Sequence, residues 1–476
     1  MIGCYVGIDI GTTNTKAIIL RADGKVAGPL KEKTPFRSRH GAVFFDLSRL
    51  EEIIIAFKRE IQKQYNIRGI SFSSVGESVV PVRNGKALSD PLFWNDPVTE
   101  NIAKKMPVNC EECNPEINRH GKTNPSLSIY KIIWMRENLG IEEPDHWLSI
   151  PGYFVYRFTG KPCCDYTQGT RTLLMDIEKF CWHGGLLHNF NLENKLPPLG
   201  EMDACIGEDR ENIVYAAGGH DHIAGLFCID TMVNGRPFIF DSIGSSETVI
   251  TLTNSRTGSG QICIGAFRQG RFYALDFIVY SGLLLESIAG LGGNVDVAGF
   301  LNTANEKLLK LDAVPNKTFP VITGGDPVTG PEKRNISLIN LPITTDSALL
   351  VHAAYVYLAT MARINLETLY SYTDPKAYII AGGGGTTNKL YMQYRATICG
   401  GPVRIISAAE IGAIGASLCA AKASGDDKTI QAFRESQNFE VVQPVAEWRE
   451  TLCRQSGELL DFYRDIKNKP LFELCS

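Results

Sequence analysis

Apolar residues along the chain follow two periods, and their alternation predicts an α/β protein. Residues 47–64 carry apolar side chains at helical spacing, which is typical of an amphipathic helix. Short β-branched runs at 69–74, 79–82 and 378–381 predict strands. Because strands and helices alternate along the sequence, we expect an α/β architecture.

One pattern occurs twice, about half the chain apart. Residues 9–16 read DIGTTNTK and residues 241–248 read DSIGSSET, and an apolar run follows each. Each predicts a strand, a tight glycine turn with hydroxyl side chains, and a second strand. A repeat at this period indicates two duplicated domains, which we place at 1–231 and 232–476. Such a loop directs N–H groups and hydroxyls toward one point, so two of them facing each other suit the phosphates of one nucleotide.

Length, charge and cysteine content narrow the class of protein. A chain of 476 residues exceeds what one core usually supports, which agrees with two domains. The formal net charge of −4, with no polybasic run and no long uninterrupted apolar run, argues against nucleic acid and membranes as partners. The first ten residues lack a basic leader and the thirteen cysteines are an odd number, so we expect reduced thiols and a cytoplasmic location. The oligomeric state stays open, with a homodimer among the alternatives.

The first repeat carries the residues expected at a phosphate and metal site. Asp9 ends the first predicted strand, and a carboxylate there suits Mg²⁺, which binds through one or two carboxylates together with substrate phosphates. A purely structural role in the turn is the alternative for Asp9. We expect the phosphates of a nucleotide to contact both loops and the lysine behind the first, namely Gly11, Thr12, Thr13, Asn14, Lys16, Gly244 and Ser245.

A second cluster, with the sequence GGHDH at 218–222, contains a candidate catalytic base. Two glycines let the backbone approach a ligand closely, and Asp221 follows shortly after them. A carboxylate directed at a hydroxyl group can accept its proton while the oxygen attacks phosphorus. Two alternatives remain for this cluster: a metal site through His220 and His222, which would share a strand face, and a structural role.

Two further groups of residues suit the two substrates of such a reaction. The glycine run at 382–385 follows a predicted strand and precedes a predicted helix, and a turn of this kind offers N–H groups to a nucleotide. An aromatic face with a few carboxylates suits a sugar or polyol. The first-domain residues that we expect to line such a site are Glu77, Trp94, Asp96 and Ser126.

These segments, taken together, resemble the FGGY carbohydrate kinases. VGIDIGTT at 6–13 resembles the first phosphate motif of that family, GHDH at 219–222 its catalytic segment, and GSS at 244–246 its second phosphate motif. GGGGTTN at 382–388 is similar to the adenosine motif. The resemblance extends from about residue 5 to about residue 425.

The resemblance implies a fold and an activity. The fold would be a duplicated actin-like, ribonuclease-H-like fold of the hexokinase and actin superfamily, with ATP and sugar meeting between two domains. The activity would be Mg²⁺- and ATP-dependent phosphorylation of a sugar or polyol hydroxyl. The resemblance implies Asp221 as the general base, His222 beside the sugar, and Gly383, Gly384 and Asn388 at the adenosine. A non-catalytic actin-like protein that binds ATP as a sensor or scaffold is the alternative.

The chain departs from the family pattern mainly around sugar recognition. Of the family's sugar motif, Gly76-Glu77-Ser78 retains only the glutamate, and residues 332–334 are only faintly similar to a Gly-Glu-Arg segment. Glu247 occupies a place usually held by a small or neutral residue. A dinucleotide-dependent oxidoreductase is excluded because no G-x-G-x-x-G lies between a first strand and a helix.

Overall fold

The structure is a computed structural model. The residues that it describes are 1–105, 124–141, 143–256, 262–278, 281–291, 293, 296–311, 313–318, 321–324, 335–338, 346–406 and 410–467. The segment 332–334, with its faint similarity to Gly-Glu-Arg, lies outside the described residues.

The chain divides into two units. The first unit comprises Met1–Arg236, Leu252–Ala274 and Glu410–Gln437. The second comprises the remaining segments, which are Pro237–Thr251, Leu275–Ala409 and Asn438–Ser476. The first unit therefore takes two segments from the second half of the sequence. The assignment of two duplicated domains at 1–231 and 232–476 stays a prediction.

The first 236 residues contain the strands and helices of the amino-terminal part of the first unit. The strands are β1 (Ile2–Ile10), β2 (Asn14–Arg21), β3 (Val26–Lys33), β4 (Phe36–Arg39), β5 (Ala42–Phe45), β6 (Tyr65–Ser74), β7 (Val79–Arg83), β8 (Lys86–Ala87), β9 (His146–Ser149), β10 (Cys164–Asp165), β11 (Met175–Asp176), β12 (Cys181–Trp182), β13 (Leu199–Gly200), β14 (Cys205–Glu208), β15 (Val214–Ala216) and β16 (Gly219–His220). The helices are α1 (Leu47–Gln62), α2 (Glu100–Lys105), α3 (Ser128–Leu139), α4 (Ile150–Thr159), α5 (Tyr166–Thr170), α6 (Gly184–Asn189) and α7 (Asp221–Val233), with a 3-10 turn at Pro97–Thr99.

The rest of the chain supplies the second unit and the later segments of the first. The strands are β17 (Phe238–Ile243), β18 (Glu247–Thr253), β19 (Cys263–Arg268), β20 (Arg271–Ile278), β21 (Val321–Gly324), β22 (Asn335–Leu338), β23 (Tyr378–Gly382), β24 (Val403–Ile406) and β25 (Phe439–Val442). The helices are α8 (Gly282–Leu291), α9 (Val297–Leu309), α10 (Ser347–Leu369), α11 (Lys389–Cys399), α12 (Ile411–Ala423), α13 (Asp427–Ser436) and α14 (Arg449–Lys467), with 3-10 turns at Gly384–Thr387 and Ala446–Trp448.

The first unit is built on a sheet with the strand order β14-β15-β6-β1-β2-β3, and β16 also pairs with β6. Strand β1 runs parallel to β6 and antiparallel to β2. Side chains alternate across a strand, so Cys4, Val6, Ile8 and Ile10 of β1 join the core formed with α1 and α4, while Gly7 and Asp9 lie on the opposite face. Both faces of β1 are covered, which explains its nearly continuous apolar sequence.

Helix α12 covers that opposite face, and glycines permit its close approach. A Cβ atom on Gly7 would lie 1.8 Å from the carbonyl oxygen of Ala413 in α12. Likewise, a Cβ atom on Gly415 in α12 would lie 1.8 Å from the carbonyl oxygen of Ala224 in α7. Helix α12 therefore packs directly against the backbones of β1 and α7, although it lies almost 200 residues after α7 in the sequence.

Replacing Gly415 with alanine is expected to lower the free energy of unfolding by about 1–3 kcal/mol, because the new methyl group would overlap the Ala224 carbonyl. This loss outweighs the gain of about 1 kcal/mol that alanine brings to a helix interior. Gly457 in α14 is the matched control: a Cβ atom there meets no other atom within 4 Å, so Gly457→Ala should stabilise the protein. Thermal and urea unfolding measure both effects, and an unchanged or higher melting temperature for Gly415→Ala would contradict this packing.

The second unit contains a sheet that repeats the arrangement of the first. Five neighbouring strands of this seven-stranded sheet have the order β18-β17-β23-β24-β25. Strand β17 runs antiparallel to β18 and parallel to β23, as β1 does to β2 and β6. The predicted pair of glycine hairpins is thus confirmed: each loop joins an antiparallel hairpin whose first strand runs parallel to the next strand of the sheet.

Helix α10 is the one helix of the described chain that is long and apolar enough to cross a membrane by length and composition. The most apolar window of this helix is 67% buried within the protein. Such burial is what a core helix shows, so the apolar character of α10 is weak evidence for a membrane span.

Candidate active site

Asp9 and Asp221 lie close together because of one sheet. Strand β6 lies between β1 and β16, and both Asp9 and Gly219 pair with Ser73 of β6. Asp9 is the penultimate residue of β1, and Asp221 follows β16 as the first residue of α7. Both carboxylates therefore lie at the carboxyl ends of two strands that run parallel to β6 on either side of it, and the carboxyl ends of parallel strands are where open α/β sheets bind their ligands.

The surroundings of Asp9 suit a bound cation. Its Oδ1 accepts a hydrogen bond from Ser73 Oγ at 2.8 Å. Burial and, secondly, the charge of Asp221 raise the pKa of Asp9 to about 7. Two carboxylates that share a poorly hydrated site repel each other, and a divalent cation would remove that repulsion. The described residues contain no group of three or more His, Cys, Asp or Glu side chains that would hold a metal ion alone.

The first phosphate loop forms the predicted tight turn. The N–H of Gly11 donates to the carbonyl of Asn14 at 3.2 Å, which closes the turn. Thr34 Oγ1 donates to the carbonyl of Gly11 at 2.7 Å and ties the loop to the residue that follows β3. Thr12 and Thr13 at the tip are exposed. The hydroxyl groups at the tip are thus accessible to a ligand.

Lys16 lies behind this loop and is paired with a residue from the far end of the sequence. Its Nζ lies 2.5 Å from Oε2 of Glu410, which directly precedes α12. A Cβ atom on Gly412 would lie 3.3 Å from the carbonyl oxygen of Asp221 and 3.7 Å from Oδ1 of Asp9. The amino end of α12 therefore stands beside both candidate carboxylates.

Glu77, the residue retained from the family's sugar motif, is held by an arginine. The glutamate is 3% exposed and has a φ of 63°. Arg171 Nε donates to its Oε1 at 2.6 Å. A Cβ atom on Gly76 would lie 2.7 Å from the ring of His220 and 3.0 Å from Cγ of Arg171. The missing side chain at position 76 thus leaves the space in which Arg171 and His220 lie, next to Asp221.

A buried lysine lies behind Glu77. Lys131 of α3 is fully buried, and its ammonium donates to the carbonyl of Ser126. Burial lowers the pKa of Lys131 to about 7, although the charges of Glu77 and Asp96 act in the opposite direction. These mutual effects show that Glu77, Asp96, Ser126 and Lys131 form one cluster.

The polar groups of Asp96 and Ser126 are engaged within the protein. Asp96 Oδ2 accepts from the N–H of Val43 at 2.8 Å, and Oδ1 accepts from the N–H of Val98 at 3.1 Å. Ser126 Oγ donates to Oδ1 of Asn124 at 2.7 Å. Both residues therefore shape the loops around Glu77, and a direct contact of either with a sugar stays a prediction.

The two histidines beside Asp221 do not share a strand face, so that expectation was wrong. His220 ends β16, whereas His222 lies in the first turn of α7, and their rings stack with centroids 5.6 Å apart. Burial lowers the pKa of His220 to about 4, which keeps its ring neutral near pH 7. The ring of Trp94 is half-buried and contacts that of Phe93, with 6.3 Å between centroids. The structure thus groups His222 with Asp221 and leaves a role for Trp94 as a prediction.

In the second unit, the glycine run packs against the second phosphate loop. The loop residues 244–246 are exposed, and the N–H of Gly244 donates to the carbonyl of Ser246 at 2.8 Å. Gly383 has a φ of 96°, and a Cβ atom there would lie 2.5 Å from the carbonyl oxygen of Ile243. A Cβ atom on Gly384 would meet open space. Gly383 therefore allows the contact between the two segments, and Gly384 leaves room beside it.

Asn388 belongs to a closed ring of polar side chains. Its Nδ2 donates to the hydroxyl of Tyr355 at 2.5 Å, and that hydroxyl donates to Oδ1 of Asn305 at 2.9 Å. Asn305 Nδ2 in turn donates to Oδ1 of Asn388 at 3.2 Å. The same Oδ1 caps α11 through the N–H of Tyr391. Asn388 is thus rigidly oriented at the amino end of α11.

The sequence reasoning assigned no site role to Arg171, Glu410 or Lys131. Arg171 lies 94 residues from Glu77, and Glu410 lies 394 residues from Lys16, so no local pattern signals either pair. For Lys131 a signal does exist, because a single lysine within the apolar run IYKIIW is unusual for a residue that prefers water.

Comparisons with known proteins show which family the chain belongs to. The model of the N-terminal domain of the FGGY family of carbohydrate kinases matches residues 4–228, and that of the C-terminal domain matches 242–424. The chain is 21% identical to a xylulose kinase of Bacillus subtilis (97% of this chain, 96% of the relative) and 24% identical to a glycerol kinase of Aquifex aeolicus (90% and 92%).

A solved structure of a ligand-bound xylulose kinase from Lactobacillus acidophilus superposes with a TM-score of 0.82 at 18% identity, over 98% of each chain. The predicted duplicated, two-domain actin-like α/β fold is thereby confirmed. With both family models matched in order along most of its length, this chain belongs to the FGGY family of carbohydrate kinases and is an ATP-dependent carbohydrate kinase.

Proposed function

We propose that the protein transfers the γ-phosphate of ATP to a hydroxyl group of an uncharged sugar or polyol, with Asp221 as the general base. The observation that carries this proposal is the position of Asp221, a partly exposed carboxylate at the amino end of α7, which lies near Asp9 and next to His220, whose ring borders Gly76 beside Glu77. The reaction needs an accepting hydroxyl that reaches such a base and the γ-phosphorus at the same time.

The backbone holds the Asp221 carboxylate in a fixed orientation. Its Oδ1 accepts from the N–H of His222 at 2.7 Å, and His220 Nδ1 lies 3.1 Å from the same oxygen. The other carboxylate oxygen would take the proton of the accepting hydroxyl. At the same time the hydroxyl oxygen would bond to phosphorus and ADP would leave. Because the lowered pKa of His220 keeps its ring neutral near pH 7, the ring adds no positive charge beside the base.

Asp9 fits Mg²⁺, directly or through a bound water molecule. The cation, when bound with ATP, would neutralise charge on the phosphate oxygens. Gly11, Thr12, Thr13 and Asn14 would then donate hydrogen bonds to the same phosphates. Phosphate oxygens would supply the remaining ligands, because the described residues contain no group of three or more His, Cys, Asp or Glu side chains that would hold a metal ion alone.

Lys16 would pair with a phosphate oxygen in this complex. The ammonium has three donors, so it can retain Glu410 and still donate to a phosphate. In the second unit, Gly244 and Ser245 would contact phosphate, while Gly383, Gly384 and Asn388 would contact the adenosine.

The Glu77 and Arg171 pair would bind sugar hydroxyls. A carboxylate accepts hydrogen bonds and a guanidinium donates them, so the pair offers a hydroxyl both kinds of partner. The named activities of the relatives, on xylulose and glycerol, support a small polyhydroxy substrate without charge.

Ten described cysteines are free thiols, which supports a reducing and thus cytoplasmic location.

Coupled measurement of ADP release tests the proposed function. The purified protein would be assayed with Mg-ATP and each of a panel of pentoses, ketoses, deoxysugars and polyols. We expect ADP release that depends on at least one added sugar or polyol and that disappears when Mg²⁺ is chelated. ADP release at the same rate with and without every compound would instead support an ATP-binding protein without a sugar substrate.

Arg171→Met is expected to raise the KM for the sugar about tenfold or more, because it removes hydrogen-bond donors and leaves the buried Glu77 without its partner. The KM for ATP should stay within about twofold, since Arg171 contacts none of the phosphate loops in our assignment. Arg171→Lys is the matched control, and its effect should be intermediate because lysine keeps the charge but not the planar fork. An equal rise in both KM values would show that Arg171 supports the fold and not sugar binding.

A further inference from the structure

Three charged side chains are completely buried together in the second unit. Arg395 of α11, Asp241 of β17 and Glu247 of β18 each have no exposed surface. One guanidinium nitrogen of Arg395, Nη2, pairs with Oε1 of Glu247 at 2.6 Å and also with Oδ2 of Asp241. The other, Nη1, donates to the hydroxyl of Tyr391 at 2.8 Å. The arginine thus links α11, the helix that Asn388 caps, to both strands of the phosphate hairpin.

Glu247 also fixes the phosphate loop on its other side. Its Oε2 accepts from Ser281 Oγ at 3.0 Å. The segment that begins at Ser281 leads into α8, and its backbone forms hydrogen bonds with the loop. The N–H of Gly282 donates to the carbonyl of Gly244 at 2.9 Å, and the N–H of Leu283 donates to the carbonyl of Ser245 at 3.1 Å. Glu247, which directly follows the loop, is therefore the residue at which α8, α11 and the hairpin meet.

We propose that Glu247 and Arg395 are positioning residues for the nucleotide, joining the second phosphate loop to the adenosine segment so that the two move as one body. This inference rests on the proposed binding of ATP by Gly244, Ser245 and Asn388. Glu247 acts only through the loop, since its carboxylate is occupied by Arg395 and Ser281 and has no exposed surface.

The arrangement gives a physical reason for the unusual glutamate next to a phosphate loop. A carboxylate facing ATP would repel its phosphates, whereas here the charge is paired with a guanidinium inside the protein. The negative residue therefore strengthens the frame of the loop without adding negative potential at its exposed tip. Removing the charge of Glu247 and removing its contacts with Arg395 and Ser281 should consequently have different effects on nucleotide affinity.

The experiment compares Glu247→Ala with Glu247→Gln by calorimetric titration of the full chain with ADP. Alanine removes both links and leaves the buried Arg395 with only Asp241 of its two acidic partners, so the Kd for ADP should rise about tenfold or more. Glutamine retains an oxygen for Arg395 and an amide for Ser281, so its Kd should stay within about threefold of wild type. In kinetics, Glu247→Ala should raise the KM for ATP and leave the KM for the sugar unchanged.

Two results would overturn the proposal. One is a folded Glu247→Ala variant that binds ADP as the wild type does. The other is a Glu247→Gln variant that binds ADP about tenfold more tightly, since that would place the negative charge at the phosphates. If Glu247→Ala does not fold, Ser281→Ala decides: we expect about threefold weaker ADP binding, and unchanged binding contradicts the proposal. A wild-type chain that does not bind ADP at all refutes the proposed ATP site itself, and that result is visible before any variant is made.

Discussion

Asp221→Asn is expected to lower kcat about a hundredfold to ten-thousandfold, the usual contribution of a general base, while ADP binding stays near that of the wild type. The amide is nearly isosteric with the carboxylate, and its oxygen can still accept from the N–H of His222. What it cannot do is take the proton of the attacking hydroxyl. Turnover would be measured with the best substrate of the panel, and ADP affinity by calorimetry.

Asp230→Asn is the matched control for this variant. It makes the same chemical change in the same helix, α7, near the opposite end, where Asp230 lies 3.6 Å from Arg271. Its kcat should stay within about threefold of wild type, because Asp230 lies near the opposite end of α7 from Asp221. Its partly exposed ion pair also contributes little to the free energy of unfolding. A kcat for Asp221→Asn within tenfold of wild type would mean that another group takes the proton.

Arg395→Met is expected to be the most destabilising single change, with a loss of about 3–5 kcal/mol from the free energy of unfolding. The variant leaves Asp241 and Glu247 buried without their common cation. Because the chain has two units and need not unfold in one step, the midpoint of the urea transition that follows the second unit is the quantity to compare.

Asp241→Asn serves as the contrast to Arg395→Met, because it replaces one buried acidic group and keeps the Arg395–Glu247 pair. Burial raises the pKa of Asp241 well above its ordinary value, so the folded protein binds a proton that the unfolded chain releases. That proton makes wild-type stability fall as the pH rises above the ordinary range of an aspartate. The asparagine variant should be at least as stable as the wild type at neutral pH, with an advantage that grows as the pH rises. A loss as large as that of Arg395→Met would contradict this view of the triad.

The features that sequence could predict are those encoded by consecutive residues. Both phosphate hairpins and the position of Asp9 at the end of β1 follow from local glycine, hydroxyl and β-branched patterns. The small residues of helix α12 (Ile411–Ala423) are also visible in the sequence, and small side chains permit close packing. Sequence could not indicate that this helix belongs to the first unit, since that depends on backbone contacts with Gly7 and Ala224 far earlier in the chain.

The pairing of the buried charged residues Glu247 and Arg395 could not be predicted from the sequence either. Glu247 stood out in the sequence only as a departure from a family pattern, and its partner Arg395 lies 148 residues away. Both residues are charged, and composition alone would place them on the surface. Only the three-dimensional pairing turns them into part of the frame around the loop.

Direct detection of the product by ³¹P nuclear magnetic resonance tests the central claim most directly. Wild-type protein and Asp221→Asn would be incubated side by side with Mg-ATP and the sugar or polyol that gives the fastest ADP release. The account predicts a phosphate ester of that compound, formed in equal amount to ADP by the wild type and almost absent with the variant. Formation of inorganic phosphate alone, or equal ester formation by both proteins, would contradict it.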